Sequence, residues 1–406
     1  MEITDKLPLE GIRVVDFTFA WAGPYATMLL AFMGAEIIKI ESAKRLDHSR
    51  IISLTTAQVF SDPDISPVFN DMNLSKLNVN LDLKQPKAVE LTKKIIEKSD
   101  VVIENMRPGV MKKLGLGYKI VREVKPDIVY LSSSARGSNG PEANYIGYAP
   151  SFGALSGLSE ITGYSEGLPT MMMGEIDLIS ATTSAFAILA ALDYRQRTGE
   201  GQYIDLSSSE TSSVLIGEVF MDYFMNQKVH VRNGNKDDIM APHNGYPCKG
   251  KNRWISIAIA TEEEWISFCD AVGNPDWTKE ERFSDANSRW NNQDDLDKLI
   301  SEWTINYEPF EVMEILQNVG VAAVPYYNSK DLFSDPHLEE RGFSTKVDHP
   351  KIGERVVIKP PWKYSTIPFN IRSGPLFGEH NNYVFGEILK MPEDEILKLI
   401  EEKVIY

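Results

Sequence analysis

Residues 12–41, IRVVDFTFAWAGPYATMLLAFMGAEIIKIE, place a strand, a helix and a second strand in immediate succession. Ile12 to Phe17 is a short apolar run of the kind that fills a buried strand. Gly23-Pro24 opens a helix that continues through Phe32, because proline suits the first helical turn. Gly34 ends it, and Glu36 to Glu41 is the next strand. The alternation repeats downstream: helix Pro86 to Lys98, strand Val101 to Glu104, helix Tyr118 to Val124, strand Asp127 to Leu131. After the polar turn at 195–202 come strand Tyr203 to Leu206 and a helix from Ser208. Strands alternating with helices build a mostly parallel sheet covered on both faces. The fold class is therefore α/β, with a large Rossmann-like domain.

At 406 residues the chain has room for two or three domains. Residues 1–225 read as the large domain. Val229 to Pro247 is polar and rich in turn formers, so it reads as a linker. Trp254 to Ile259 then alternates with period two, as a half-buried strand does. Thr261 and Glu264 form a capping box that opens a helix containing Trp265, and Val321 to Tyr326 is another strand. Residues 226–328 thus read as a smaller α+β domain. Residues 329–406, with a helix at Pro392 to Lys403, return to the large domain.

The formal net charge of -16 disfavours nucleic acid as a partner. It still allows a small polyanion held by a local basic patch. No apolar run reaches the ~20 residues that span a bilayer, which argues against a membrane partner. The first residues are polar and unlike a secretory signal. The two cysteines, Cys248 and Cys269, form no CxxC, and the six histidines form no HxH or HExxH. These patterns point to a reducing, cytoplasmic setting and to no metal centre. GxGxxG, GxxxxGK[ST] and GxSxG are all missing, with Gly115-Leu116-Gly117 only a partial match. Nicotinamide, P-loop and α/β-hydrolase chemistry are poor readings.

Met173-Gly174-Glu175-Ile176-Asp177 runs straight into the apolar, small-residue segment Leu178 to Leu192. The free N–H groups and macrodipole of a helix start favour an ionised Asp177. Small neighbours would let a bulky electrophile reach it, so it is a candidate nucleophile. The plainer reading is a helix N-cap. Ligands of open α/β sheets bind at the C-terminal strand ends, where several loops carry useful groups. Gly23, in Trp21-Ala22-Gly23-Pro24, either admits a ligand close to the backbone or makes a plain turn. Lys44, Arg45 and Arg50 follow the second strand and serve either phosphate or solvent. Asn105 and Arg107, in Glu104 to Gly109, suit a base edge and phosphate oxygens, or a polar turn closed by Pro-Gly. Lys76 precedes a strand and reads by itself as solvated.

Taken in order, these segments resemble the class III coenzyme A transferase family, of the formyl-CoA and carnitine CoA-transferase type. The resemblance rests on Leu9 to Phe17, Ala22-Gly23-Pro24, Met33 to Glu41, Glu104 to Gly109, RQRTGEGQYID at 195–205 and Gly378-Glu379-His380-Asn381. It covers essentially the whole chain and implies that Asp177 is the catalytic carboxylate. In the family, that carboxylate passes through a mixed anhydride and an aspartyl-CoA thioester. The resemblance also implies an interlocked homodimer, with a heteromer of related subunits as an alternative. It implies no permanently bound cofactor, with coenzyme A thioesters and a free carboxylic acid as substrates. Family-like CoA contacts fall on Ala20, Trp21, Lys76, Asn105, Met106 and Arg107. Ser42 stands where relatives carry an arginine, so Lys44 or Arg45 takes that phosphate. Tyr148 corresponds to an active-site aromatic. Arg136 replaces another aromatic and becomes a candidate for a substrate carboxylate.

The competing reading inside the fold is an α-methylacyl-CoA racemase. That enzyme needs a histidine where this chain has Tyr148, and a phenol is a poor base at neutral pH. No glycine-rich loop of the formyl-CoA kind lies near 243–253, which disfavours oxalate and formate. Tyr164 to Met173, with Met171 to Met173 in a row, suits a wider apolar pocket. The N-terminal third looks most like benzylsuccinate CoA-transferases, implying succinyl-CoA as donor and benzylsuccinate or a related acid as acceptor. Carnitine is a looser match.

Overall fold

The computed structural model describes residues 6–52 and 59–406. They divide into two compact units. The larger holds the N-terminal residues to Ser159, Met171–Val229 and Gly342–Tyr406. The smaller holds Glu160–Thr170 and His230–Arg341.

The larger unit is built on six strands: β1 (Arg13–Asp16), β2 (Glu36–Glu41), β3 (Leu77–Asn80), β4 (Val101–Glu104), β5 (Val129–Ser134) and β6 (Tyr203–Ser207). They are all parallel, in the order β3-β2-β1-β4-β5-β6. Alternate residues serve opposite faces. Val14, Ile37, Val101 and Val129 enter one apolar cluster, while Val15, Ile38, Val102 and Tyr130 enter the other. Each such buried aliphatic side chain contributes about 1.5–3 kcal/mol. That double burial is why the strands read as apolar runs in the sequence.

Helices cover both faces: α1 (Ala22–Phe32), α2 (Pro86–Glu97), α3 (Gly174–Thr198), α4 (Ser208–Ser213) and α5 (Gly217–Asn226). Helices α1 and α3 pack together on one face, with Ala26, Leu29 and Leu30 in the same cluster as Ala181, Ala185 and Ile188. With a mean hydropathy of 1.5 over 18 residues, α3 is long and apolar enough to cross a membrane. This corrects the expectation that no segment reaches that length. Core helices pass the same test, and α3 buries one face in this cluster. Its far end is tied down by Arg195, whose Nη2 lies 2.9 Å from Asp100 Oδ1, and is closed by Gly199 in the left-handed region.

Strand β5 extends past the apolar run to Ser134, because Ser132 to Ser134 continue the ladder with Asp205 to Ser207 of β6. The C-terminal residues seal the exposed edge of β3. Gly378 N donates to Asn78 Oδ1 at 2.7 Å, and Asn80 N donates to Asn381 Oδ1 at 3.0 Å.

The smaller unit carries three antiparallel strands, β7 (His243–Pro247), β8 (Trp254–Ala258) and β9 (Ala322–Pro325). Strand β7 lies inside the stretch read as linker. Its sequence HNGYP lacks β-branched residues, and its pairing with β8 supplies the order that propensity does not. Helix α6 (Glu262–Ala271) starts on the expected capping box, with both reciprocal bonds between Thr261 and Glu264 present.

Candidate active site

A cavity of about 590 Å³ opens at the C-terminal ends of the parallel strands. It lies beside the β1–β4 boundary, where the strand order reverses direction. Phe19, Arg45, His48, Arg107, Tyr148 and Asp177 line it, together with three serines, Ser133, Ser134 and Ser208.

Buried charge shapes the β1–α1 loop. Asp16 accepts from Thr18 N at 2.8 Å and Thr27 Oγ1 at 2.7 Å, and Lys76 Nζ lies 3.3 Å away. Burial alone would raise the Asp16 carboxyl. The ammonium groups of Lys76 and Lys39, with the threonine hydroxyls, outweigh it and hold the carboxyl below its usual range. Lys39 donates to Thr18 O at 2.5 Å, and Asp47 accepts from Ala20 N at 3.2 Å. Ala20 is thereby held at φ 65°, a left-handed conformation that costs a residue with a Cβ about 1–2 kcal/mol. Gly23 sits against Thr18 of its own loop, where a Cβ would overlap that side chain. Its freedom serves this close packing rather than a ligand.

Across the strand boundary, Asn105 clasps Phe19 in both directions. Phe19 N donates to Oδ1 at 2.8 Å, and Nδ2 donates to Phe19 O at 2.9 Å. Glu104 Oε2 accepts from Met106 N at 2.7 Å and Oε1 from Ser132 Oγ at 2.5 Å. Burial pushes the Glu104 carboxyl up to about 7.

Asp177 stands in the first turn of α3 but is not its N-cap, which is Met173. No side chain caps the first turn, and Glu175 Oε2 instead accepts from Met173 N at 2.9 Å. Asp177 is half-buried, and among the described residues its carboxylate makes no ion pair and accepts no hydrogen bond. Burial pushes it up to about 6, opposite in direction to the helix-terminus expectation. At pH 7 the anion still predominates. The result is a desolvated, unpartnered carboxylate facing a cavity, the condition in which a weak nucleophile is most reactive.

Six of the residues that the resemblance assigned come together here: Asp177, Arg45, Asn105, Met106, Arg107 and Tyr148, whose side is 74% exposed. Ala20 and Trp21 lie in the loop between the lining residues Phe19 and Ala22. The Trp21 indole packs against Gly174, where any Cβ would overlap the ring. Lys44, Lys76 and Arg136 lie outside the cavity lining. Lys44 Nζ is 2.7 Å from Asp82, and Arg136 Nη2 is 2.5 Å from Glu142. Lys76 is buried rather than solvated, and its ammonium also donates to Pro24 O and Asn73 Oδ1, both at 2.8 Å. Arg50 corrects the surface reading too. It is fully buried, 2.9 Å from Glu41 and 3.0 Å from Asp64. Met171 and Met173 are exposed rather than packed in the core. Sequence reasoning missed His48 and the serines. The signal available was their place at the C-terminal ends of strands: Ser133 and Ser134 close β5, Ser208 follows β6, and His48 lies in the connection after β2.

A model of CoA-transferase family III matches residues 9–381. The succinyl-CoA:mesaconate CoA-transferase of Haloarcula hispanica is 34% identical, covering 93% of this chain and 96% of the relative. The succinyl-CoA–D-citramalate CoA-transferase of Chloroflexus aurantiacus is 30% identical over 98% of each. Among solved structures, a CaiB/BaiF family protein from Brucella suis superposes with a TM-score of 0.83 at 26% identity. That match covers 94% of this chain and all of the other.

Proposed function

This chain belongs to CoA-transferase family III and is a CoA-transferase, and from that premise we propose that it moves CoA from succinyl-CoA to a small dicarboxylic acid through covalent intermediates on Asp177. The observation that carries the reading is the unpartnered Asp177 carboxylate in a cavity that also holds Arg45, His48 and Arg107. Asp177 attacks the thioester carbonyl, the C–S bond breaks, and CoA leaves as thiolate from a mixed anhydride. The thiolate attacks the aspartyl carbonyl and expels succinate, leaving an aspartyl-CoA thioester. The acceptor carboxylate then runs the same two steps in reverse. The covalent route keeps the thioester energy from being lost to water.

Lys44 and Lys76 are engaged with Asp82 and Asp16, so the phosphates fall to Arg45, His48 and Arg107, with Trp21 beside the nucleotide. The similarity to mesaconate and citramalate transferases supports the acceptor class, since both acids are methyl-substituted four-carbon dicarboxylates. Benzylsuccinate is a four-carbon dicarboxylate with a larger substituent. Phe19 and Phe152 in the lining suit its ring. Incubation with a panel of acyl-CoA donors, followed by mass spectrometry of the Asp177 peptide, tests the reading. A CoA-sized adduct formed from succinyl-CoA is expected; its absence with every donor would refute the chemistry.

Attack requires the anion, so kcat/KM falls as pH drops through about 6, the value to which burial raises Asp177. A profile flat from pH 8 to pH 5 would contradict this.

We also propose a homodimer. Helix α5 has no buried residue, yet it carries Phe220, Met221, Tyr223 and Phe224 on its surface. A contiguous apolar face of this kind calls for a covering partner. Sedimentation equilibrium should give twice the 45.7 kDa chain mass. Phe224→Glu should shift the population toward monomer.

A further inference from the structure

Ser134, the last residue of β5, buries its Oγ, which has no hydrogen-bond partner among the described residues. An unpaired buried hydroxyl is costly and calls for a partner that the protein itself does not supply. Ser134 and Ser208 line the same cavity as Asp177. In the β5–β6 ladder Ser134 stands opposite Ser207, so Ser208 follows directly on the neighbouring strand end. A second contact sets α4 against α3, with Ser180 Oγ and Thr211 Oγ1 3.2 Å apart. Asp177 and Ser208 lie about one helical turn before that pair, on the same helix faces. Two independent contacts therefore bring Ser134, Ser208 and Asp177 to one wall.

A dicarboxylate reacts through one carboxylate and must desolvate the other, which then needs donors. Arg136 is taken by Glu142. Burial is the sole cause of the Asp177 shift, with no cation contributing. A cation at that wall would hold Asp177 in an ion pair and blunt its attack. Neutral hydroxyls can hold a substrate anion without doing so.

We propose that Ser134, with Ser208 beside it, donates hydrogen bonds to the non-reacting carboxylate of the acyl group, and so selects dicarboxylic over monocarboxylic acids. This rests on the assignment of Asp177 as nucleophile. The test compares kcat/KM for isotopically labelled succinate, read by mass spectrometry as label entering succinyl-CoA, and for butyrate as acceptors, with unlabelled succinyl-CoA as donor, in the wild type, Ser134→Ala, Ser134→Thr and Ser208→Ala. The succinate-to-butyrate ratio should fall about ten- to a hundred-fold in Ser134→Ala, with the loss appearing in the KM for succinate. Ser134→Thr, which retains a hydroxyl, should keep most of the ratio. Ser208→Ala should move it in the same direction by a smaller factor, and it serves as the test if Ser134→Ala does not fold. A wild type that does not prefer succinate overturns the proposal, as does a ratio unmoved in the alanine variants. Failure of the underlying chemistry shows separately, as a wild-type Asp177 peptide that never acquires a CoA-sized adduct.

Discussion

Asp177→Asn is expected to lower CoA transfer by about 10⁴-fold or more and, at the same time, to make the fold more heat-stable at neutral pH. The first effect follows from removing the oxygen that the proposed mechanism uses as nucleophile, since losses on this scale accompany deletion of a covalent nucleophile. An amide cannot give the anhydride, and nothing else at the site replaces its oxygen. The second effect follows from desolvation. Asp177 titrates near 3.8 in the unfolded chain and about 6 in the folded one, so the folded state holds the proton more tightly. Stability contributed by this group is therefore lost as pH rises between those values, and the penalty is complete above about 6. Asparagine carries no such penalty. The thermal midpoint of the variant should exceed that of the wild type at pH 7.5, and the gap should close toward pH 4. Full turnover in the variant would remove Asp177 from the mechanism. A midpoint difference independent of pH would remove burial as the cause of its shift.

Arg50→Ala is expected to destabilise the larger unit by about 3–5 kcal/mol, the usual cost of breaking a buried ion pair from one side. The guanidinium is fully buried. It binds Glu41 through Nε at 3.1 Å and Nη2 at 2.9 Å, reaches Asp64 at 3.0 Å, and lies 3.4 Å from the Phe69 ring centroid. Removing it strands the buried Glu41 carboxylate, which Asn78 Nδ2 alone, at 2.5 Å, cannot neutralise. A fall in the thermal midpoint of roughly 5–15 °C is expected by calorimetry. Arg197→Ala is the control. Its ion pair with Asp193 is exposed on both sides, so the transition should stay essentially where it is. Equal effects of the two substitutions would show that the buried cluster carries no special weight.

The parallel sheet was legible because its strands are buried on both faces and so cannot alternate. Val101 to Glu104 is apolar up to its last residue, and its bounds in the structure match those read from the sequence. Strand β7 was not legible, since His243 to Pro247 owes its extension to the partner strand. The C-terminal half of β5 was hidden in the same way by its serines. Asp177 stood out as a carboxylate at the head of a small-residue helix, but its plainer reading was an N-cap, and only the family resemblance singled it out. Its environment could not be read, since burial depends on loops far away in sequence. The charged residues misled most. Arg50 and Lys76 look like solvated surface because their partners lie at Asp64 and Asp16, separations at which local pattern is silent. His48, which opens a single helical turn after β2, follows no periodicity, and only strand-end geometry brings it to the cavity.

The bare hydrogen at position 174 lets the first turn of α3 rest against the six-membered ring of the Trp21 indole. That arrangement couples two distant sites in descent. A methyl group at 174 would lever the first turn away from its target unless the ring at 21 shrank in the same step. Lineages that abandon one of the pair are expected to abandon the other, and a variant carrying both changes should tolerate what neither tolerates alone.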